Sequence, residues 1–124
     1  LPNVGVILDT SIWVDVERGR VTPAEVAAVT GEEPVFLTPI TIAKAALARI
    51  KTKPCLTIGR TTGEIFGQLA AQLDDQGRPS KHRVQDVWIA SLAMQHGMEL
   101  LTQNQKHFED IPGLTILSLA GRTT

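Results

Sequence analysis

The sequence predicts a three-layer α/β/α domain with a mostly parallel sheet of four to five strands. Short apolar runs near residues 4, 35, 55, 99 and 115 alternate with helical segments, the pattern of helices packed on both faces of a parallel sheet. Crossovers between such strands are right-handed. A second observation is the stretch Asp86-Val87-Trp88-Ile89-Ala90-Ser91-Leu92-Ala93-Met94, which is apolar nearly all the way round and wants cover on several sides. Third, polar residues stand just past the strand ends: Asp9-Thr10-Ser11 after the first, Asn104 after the run at 99–102. In a parallel sheet the carboxyl ends of the strands form the ligand-binding edge. The 124 residues suit a single domain, 1–124, with a real core.

Taken in order, Val4-Gly5-Val6-Ile7-Leu8 reads as a buried strand. Thr10 or Ser11 can cap the helix that follows through Ile12-Trp13-Val14 toward Glu17. Asp9 reads equally as part of that capping turn or as a functional carboxylate, since Asp is among the best N-caps. Arg18-Gly19-Arg20 breaks the helix, and Thr22-Pro23-Ala24-Glu25 starts another, with Pro near the first position and Glu at the third. Val35-Phe36-Leu37-Thr38 is a second strand, ended by Pro39. Thr41 then caps a helix over residues 42–50.

That helix breaks a local rule. The third position after a Thr cap favours Glu, which reaches back to the cap amide and complements the helix dipole; here it is Lys44. Either Lys44 is an exposed lysine reaching into water, or something acidic lies within its reach. A basic loop at 51–54 leads to a short strand at 55–58. Thr61 or Thr62 opens an amphipathic helix with Ile65, Leu69 and Leu73 on one face, stopped at Asp74-Asp75-Gln76-Gly77. Arg78-Pro79-Ser80-Lys81-His82-Arg83 is the most basic segment; such runs are commonly solvated loops, but this one leads directly into Asp86. Gly97 supplies the left-handed stop, 99–102 is a strand, and 114–118 is the last strand. Residues 121–124 are expected to fray.

Composition narrows the class. A net charge of −1 provides no global field for nucleic acid, so any such contact comes from a local patch. The single cysteine, Cys55, excludes an internal disulfide and suits a reducing cytosol. No signal-peptide series opens the chain, and no apolar run is long enough to span a bilayer, so a cytoplasmic protein without membrane contact is expected.

The segments Ile7-Leu8-Asp9-Thr10-Ser11, Thr38-Pro39-Ile40-Thr41-Ile42-Ala43, Asp86-Val87-Trp88-Ile89-Ala90 and Leu101-Thr102-Gln103-Asn104, running on to His107-Phe108, resemble a PIN domain. In this order and spacing they are similar to the VapC ribonuclease toxins of bacterial toxin–antitoxin pairs. The resemblance implies a sheet ordered 3-2-1-4-5, a homodimer, a VapB-type antitoxin partner and Mg²⁺- or Mn²⁺-dependent hydrolysis of RNA. It also implies roles. Asp9 and Asp86 would hold the metal, and Asn104 a coordinated water or phosphate oxygen. Thr10, Ser11 and Thr102 would orient the carboxylates, and Arg78, Lys81 and Arg83 would grip the RNA backbone. Mg²⁺ chemistry agrees, because the ion is typically held by one or two carboxylates plus substrate phosphate.

The chain departs from that family in two places. The glutamate expected in the helix after the second strand is Lys44, which is read as substituting for the cation among Asp9 and Asp86 and impairing activity. A helix usual between the second and third strands is cut down to residues 49–54. Asp15 or Glu17 could assist the site instead, but both start far down their helix. The alternative function is a catalytically inactive PIN-fold module that binds antitoxin or RNA. A receiver-like phosphoacceptor would need adjacent acids after the first strand and a lysine after the last. A haloacid-dehalogenase-like phosphatase would need Asp where Ser11 stands. His82, His96 and His107 show no metal-ligand spacing and read as surface or capping residues.

Overall fold

A computed structural model describes residues 5–44 and 54–122. Its sheet runs β2-β1-β3-β4-β5, with β1 Val6–Leu8, β2 Val35–Phe36, β3 Glu99–Leu101, β4 Ile116–Ser118 and β5 Gly121–Arg122. The first four are mutually parallel and β5 is antiparallel to β4. Beyond β2, Leu37 bridges Cys55 in parallel, so the expected 3-2-1-4-5 order holds with its third member reduced to one bridge. Ile58, expected inside that strand, is exposed.

The helices are α1 Thr10–Glu17, α2 Pro23–Thr30, α3 Pro39–Lys44, α4 Arg60–Asp75 and α5 Val84–His96. The pleat sorts them onto two faces. Val6, Leu8, Leu101 and Leu117 point to one face, where Ile12, Trp13 and Val26 of α1 and α2 cover them. Ile7, Leu100 and Ile116 point to the other, under Leu69 and Leu73 of α4 and Val87, Ile89, Ala90 and Leu92 of α5. Side chains alternate with period 2 along each strand, so one apolar run feeds two cores. This is the three-layer α/β/α arrangement.

Several boundaries differ from the sequence reading. Position Asp9, rather than Thr10 or Ser11, is the N-cap of α1, and its side chain makes no capping bond. The Thr38 hydroxyl, rather than that of Thr41, accepts the first-turn amide of α3, from Thr41 at 3.3 Å. Thr41 is fully buried inside the helix, so Lys44 stands past the first turn and breaks no capping box. Pro39 suits the first helical position, where its missing N–H is no loss. The Lys44 side chain and residues 45–53, including the region read as a shortened helix, lie outside the described part. The box at Thr22 and Glu25 forms in both directions, Glu25 N–H to Thr22 Oγ1 at 3.1 Å and Thr22 N–H to Glu25 Oε1 at 3.2 Å.

The helix α4 begins at Arg60, before Thr61 and Thr62. Thr62 is buried, accepts from the Gly59 amide at 3.1 Å and donates to Gln95 Oε1, tying α4 to α5. Asp86 is the third residue of α5 rather than its opening. Gly97 ends α5 at φ 64°, the left-handed stop. The tail is anchored instead of frayed at Gly121–Arg122, because turning back at Ala120 lets it complete the ladder on β4. Among the described residues, no helix is long and apolar enough to cross a membrane.

Candidate active site

Asp9, Asp86 and Asn104 line one cleft of about 690 Å³ at the carboxyl ends of the parallel strands. Each arrives by a different route. Asp9 directly follows β1, whose pairing continues as the Asp9 amide donates to Leu101 O at 2.9 Å. Asp86 lies in the first turn of α5, where the helix dipole favours a carboxylate. Asn104 follows β3 and leads into a short 3₁₀ turn, Gln105–His107.

Asp9 is the most constrained member, with 6% of its surface exposed. Its Oδ2 accepts from Ser11 Oγ at 2.9 Å and from Thr102 Oγ1 at 2.9 Å. Both donors share Oδ2; Oδ1 takes neither. The same hydroxyls receive backbone amides, Gln103 N–H on Ser11 Oγ at 3.1 Å and Asn104 N–H on Thr102 Oγ1 at 2.9 Å. The loop carrying Asn104 is therefore fastened to the Asp9 carboxylate through two hydroxyls. Thr10 lines the cleft, but its hydroxyl bonds that of Thr41 at 3.0 Å, whereas the hydroxyls on the carboxylate are those of Ser11 and Thr102.

The basic residues divide. Lys81 and Arg83 line the cleft. Arg83, however, holds Asp110 with both terminal nitrogens, at 2.7 and 2.6 Å, and also donates to His107 O at 2.6 Å. Arg78 reaches the same carboxylate at 3.2 Å. Two of the three side chains expected to grip RNA are thus engaged with a protein carboxylate. That hydrogen-bonded guanidinium draws the Asp110 carboxyl below its ordinary pKa, against the opposing effect of burial, with a smaller contribution from the charge of Arg78. Lys81 pairs with no carboxylate among the described residues.

Sequence reasoning missed Asp110, for which no local pattern speaks: its partner Arg83 is 27 positions away. It also read His107 as a surface or capping residue. His107 is well exposed, but its Nδ1 lies 3.8 Å from Asp86 Oδ2. Asp15, set aside as too far down its helix, lines the cleft as well. It accepts from Gln103 Nε2 at 3.3 Å and pairs with Arg20 at 3.5 Å. Glu17 is exposed and does not line the cleft.

The donor set facing the cleft is oxygen-rich: carboxylates, hydroxyls and an amide. Among the described residues no three His, Cys, Asp or Glu side chains come together closely enough to hold a metal by themselves. Two carboxylates still fit Mg²⁺, which keeps several waters and shares its ligand shell with substrate phosphate.

No protein-family model matches the chain. Ribonuclease VapC1 of Rickettsia felis is 29% identical over an alignment 139 positions long, spanning 96% of this chain and 99% of the relative. Among solved structures, the DNA-bound VapBC of Salmonella typhimurium matches with a TM-score of 0.78 and 22% identity, over 94% of this chain and 98% of that one. VapBC-1 of nontypeable Haemophilus influenzae gives 0.75 and 22%, over 93% and 98%. VapBC2 of Rickettsia felis, bound to a promoter DNA fragment, gives 0.73 and 20%, over 91% and 97%. With strands, helices and cleft carboxylates in the same order as the motifs, the chain has the PIN-domain fold and resembles, in sequence as in fold, the VapC-type toxin ribonucleases.

Proposed function

We propose that this chain is a metal-dependent endoribonuclease toxin of a type II toxin–antitoxin pair, hydrolysing RNA phosphodiesters. The observation that carries the reading is the meeting of Asp9, Asp86 and Asn104 in one cleft, supported by the relative named as a ribonuclease. Asp9 and Asp86 would hold Mg²⁺ or Mn²⁺, and Asn104 a coordinated water or a phosphate oxygen. Bound there, the ion lowers the pKa of a water and neutralises charge developing on the phosphate. Ser11 and Thr102 fix the Asp9 carboxylate from behind, the task of the outer partners of a metal ligand. Lys81 contacts the RNA backbone, which positions the strand without reading its sequence. The setting is the cytoplasm, the regulator a VapB-type antitoxin, and the assembly a homodimer; the similarity to solved VapBC complexes supports the antitoxin.

Lys44 stands where the family's glutamate is expected, and an ammonium in place of a carboxylate works against a dication. We therefore place this chain among weakened nucleases. The test is a gel assay of RNA cleavage with Mg²⁺ or Mn²⁺, run on the chain, on Asp9→Asn and on Lys44→Glu. Slow cleavage that Asp9→Asn abolishes and Lys44→Glu accelerates is the expected result. Cleavage that survives Asp9→Asn overturns the assignment. Lys44 also favours a second reading, an inactive PIN-fold module that binds antitoxin or RNA. Silence of all three proteins at every metal concentration, with partner binding intact, would establish it.

A further inference from the structure

A second cleft of about 570 Å³ lies beside the first. The two share Gln103, Asn104 and His107 as a common wall. The second is floored by the carboxyl ends of β3 and β4, at Thr102 and Ser118, and carries one cation, Lys106. We infer that an RNA strand crosses this shared wall, so that the second cleft seats a nucleotide flanking the scissile phosphate and Lys106 takes its phosphate. The inference rests on the nuclease reading and extends it to the path of the substrate.

Charge placement carries the argument. The first cleft presents the carboxylates Asp9 and Asp86, beside Asp15, whose charge is met by Arg20, and these acids disfavour a polyanion where no metal is bound. Cations flanking those carboxylates are needed to hold the strand, and the pair nearest in sequence is partly spent: Arg78 and Arg83 share Asp110, so the two guanidiniums leave one net positive charge. The lysines without a carboxylate partner among the described residues of these walls are Lys81, on the first cleft, and Lys106, on the second. The acidic centre is therefore bracketed by one such lysine in each cleft. A positively charged groove tracking the backbone is how single strands are commonly held. The second cleft is lined by Gln105, Ser118, Leu119 and Ala120 without Phe or Trp, so it offers hydrogen bonds and a phosphate contact, and its one ring is the imidazole of His107 on the shared wall.

The experiment measures binding apart from cleavage. A fluorescein-labelled single-stranded oligoribonucleotide is titrated with the full chain in chelator across a series of salt concentrations, and a gel verifies that the RNA stays intact. Neutralising one phosphate contact changes the slope of log K against log salt by about 0.7 for a single strand. Lys106→Ala should shrink the slope by about that amount and weaken binding at low salt. Arg60→Ala, which removes an exposed cation on α4, should leave the slope unchanged. If RNA binds but Lys106→Ala behaves like Arg60→Ala, the path proposed here is wrong while the nuclease reading stands. If the chain binds no RNA, the path proposed here falls, and the nuclease reading is decided separately by the metal-dependent cleavage assay.

Discussion

Thr102 Oγ1 donates to Asp9 Oδ2 at 2.9 Å across 93 positions of sequence. The bond joins the first strand to the third at their carboxyl ends and sits where water barely reaches, since Thr102 is fully buried. The same oxygen accepts the Asn104 amide. One hydroxyl therefore fixes both the carboxylate and the start of the loop that carries the amide side chain.

Thr102→Val keeps the shape and removes the hydroxyl, leaving a buried carboxylate oxygen and a backbone amide each short of a partner. The expected loss of stability is about 1–3 kcal/mol, while Thr102→Ser retains most of the native value. Urea denaturation of the three proteins checks it. A Val variant as stable as the parent would mean that this bond is replaced by water.

Lys44→Glu changes the charge by two units at the position where the family resemblance expects a glutamate of the metal site. At an effective dielectric of ~20, charges about 4 Å apart interact by ~4 kcal/mol, and even a heavily screened fraction shifts affinity by a decade or more. Calorimetric titration with Mn²⁺ should show at least tenfold tighter binding by Lys44→Glu. Tight binding by the parent, unaltered by the substitution, would contradict the role given to this lysine.

Asp110 predicts an acid-sensitive clasp. Its folded pKa is lowered, first by the Arg83 hydrogen bond, so its contribution is present above the unfolded pKa of about 3.9 and is lost as pH falls through the lower folded value. Both side chains are mostly buried, at 16% and 19% exposure for Asp110 and Arg83. Asp110→Asn should cost about 1–3 kcal/mol at neutral pH, as for hydrogen bonds to charged groups, and flatten the acid limb of stability against pH. Thermal melts from pH 7 down to 3 provide the comparison; parallel curves for parent and variant would refute the assignment.

Gly97 ends α5 in the left-handed region at φ 64°, with nothing within 4 Å of a built Cβ. Gly97→Ala thus meets no clash, and its cost is conformational alone, roughly 1 kcal/mol. A melting temperature lowered by a few degrees, with the sheet signature in circular dichroism retained, is the expected outcome.

Much of the fold was legible because its signals are local. The apolar run of β1, the buried body of α5, the Thr22–Glu25 box and the Gly97 stop each depend on residues within a few positions, and each forms. Boundaries were less legible where two local signals competed. Thr38 and Thr41 are both good caps, and Pro39 at the first helical position decides for Thr38. The reduction of the run at 55–58 to a single bridge depends on what packs beside it, and the period of its side chains does not report that.

The sequence by itself determined the layer order, the strands that flank the cleft, and which acidic and amide residues stand at their ends. Only the tertiary structure decided how those residues are held and which charges cancel. It set Ser11 and Thr102 on one oxygen of Asp9, paired Arg78 and Arg83 with Asp110, and brought His107 to Asp86. The reason is reach. Strand and helix patterns are fixed by neighbours along the chain, whereas a hydrogen bond or ion pair needs two groups within a few ångströms, wherever the fold happens to carry them.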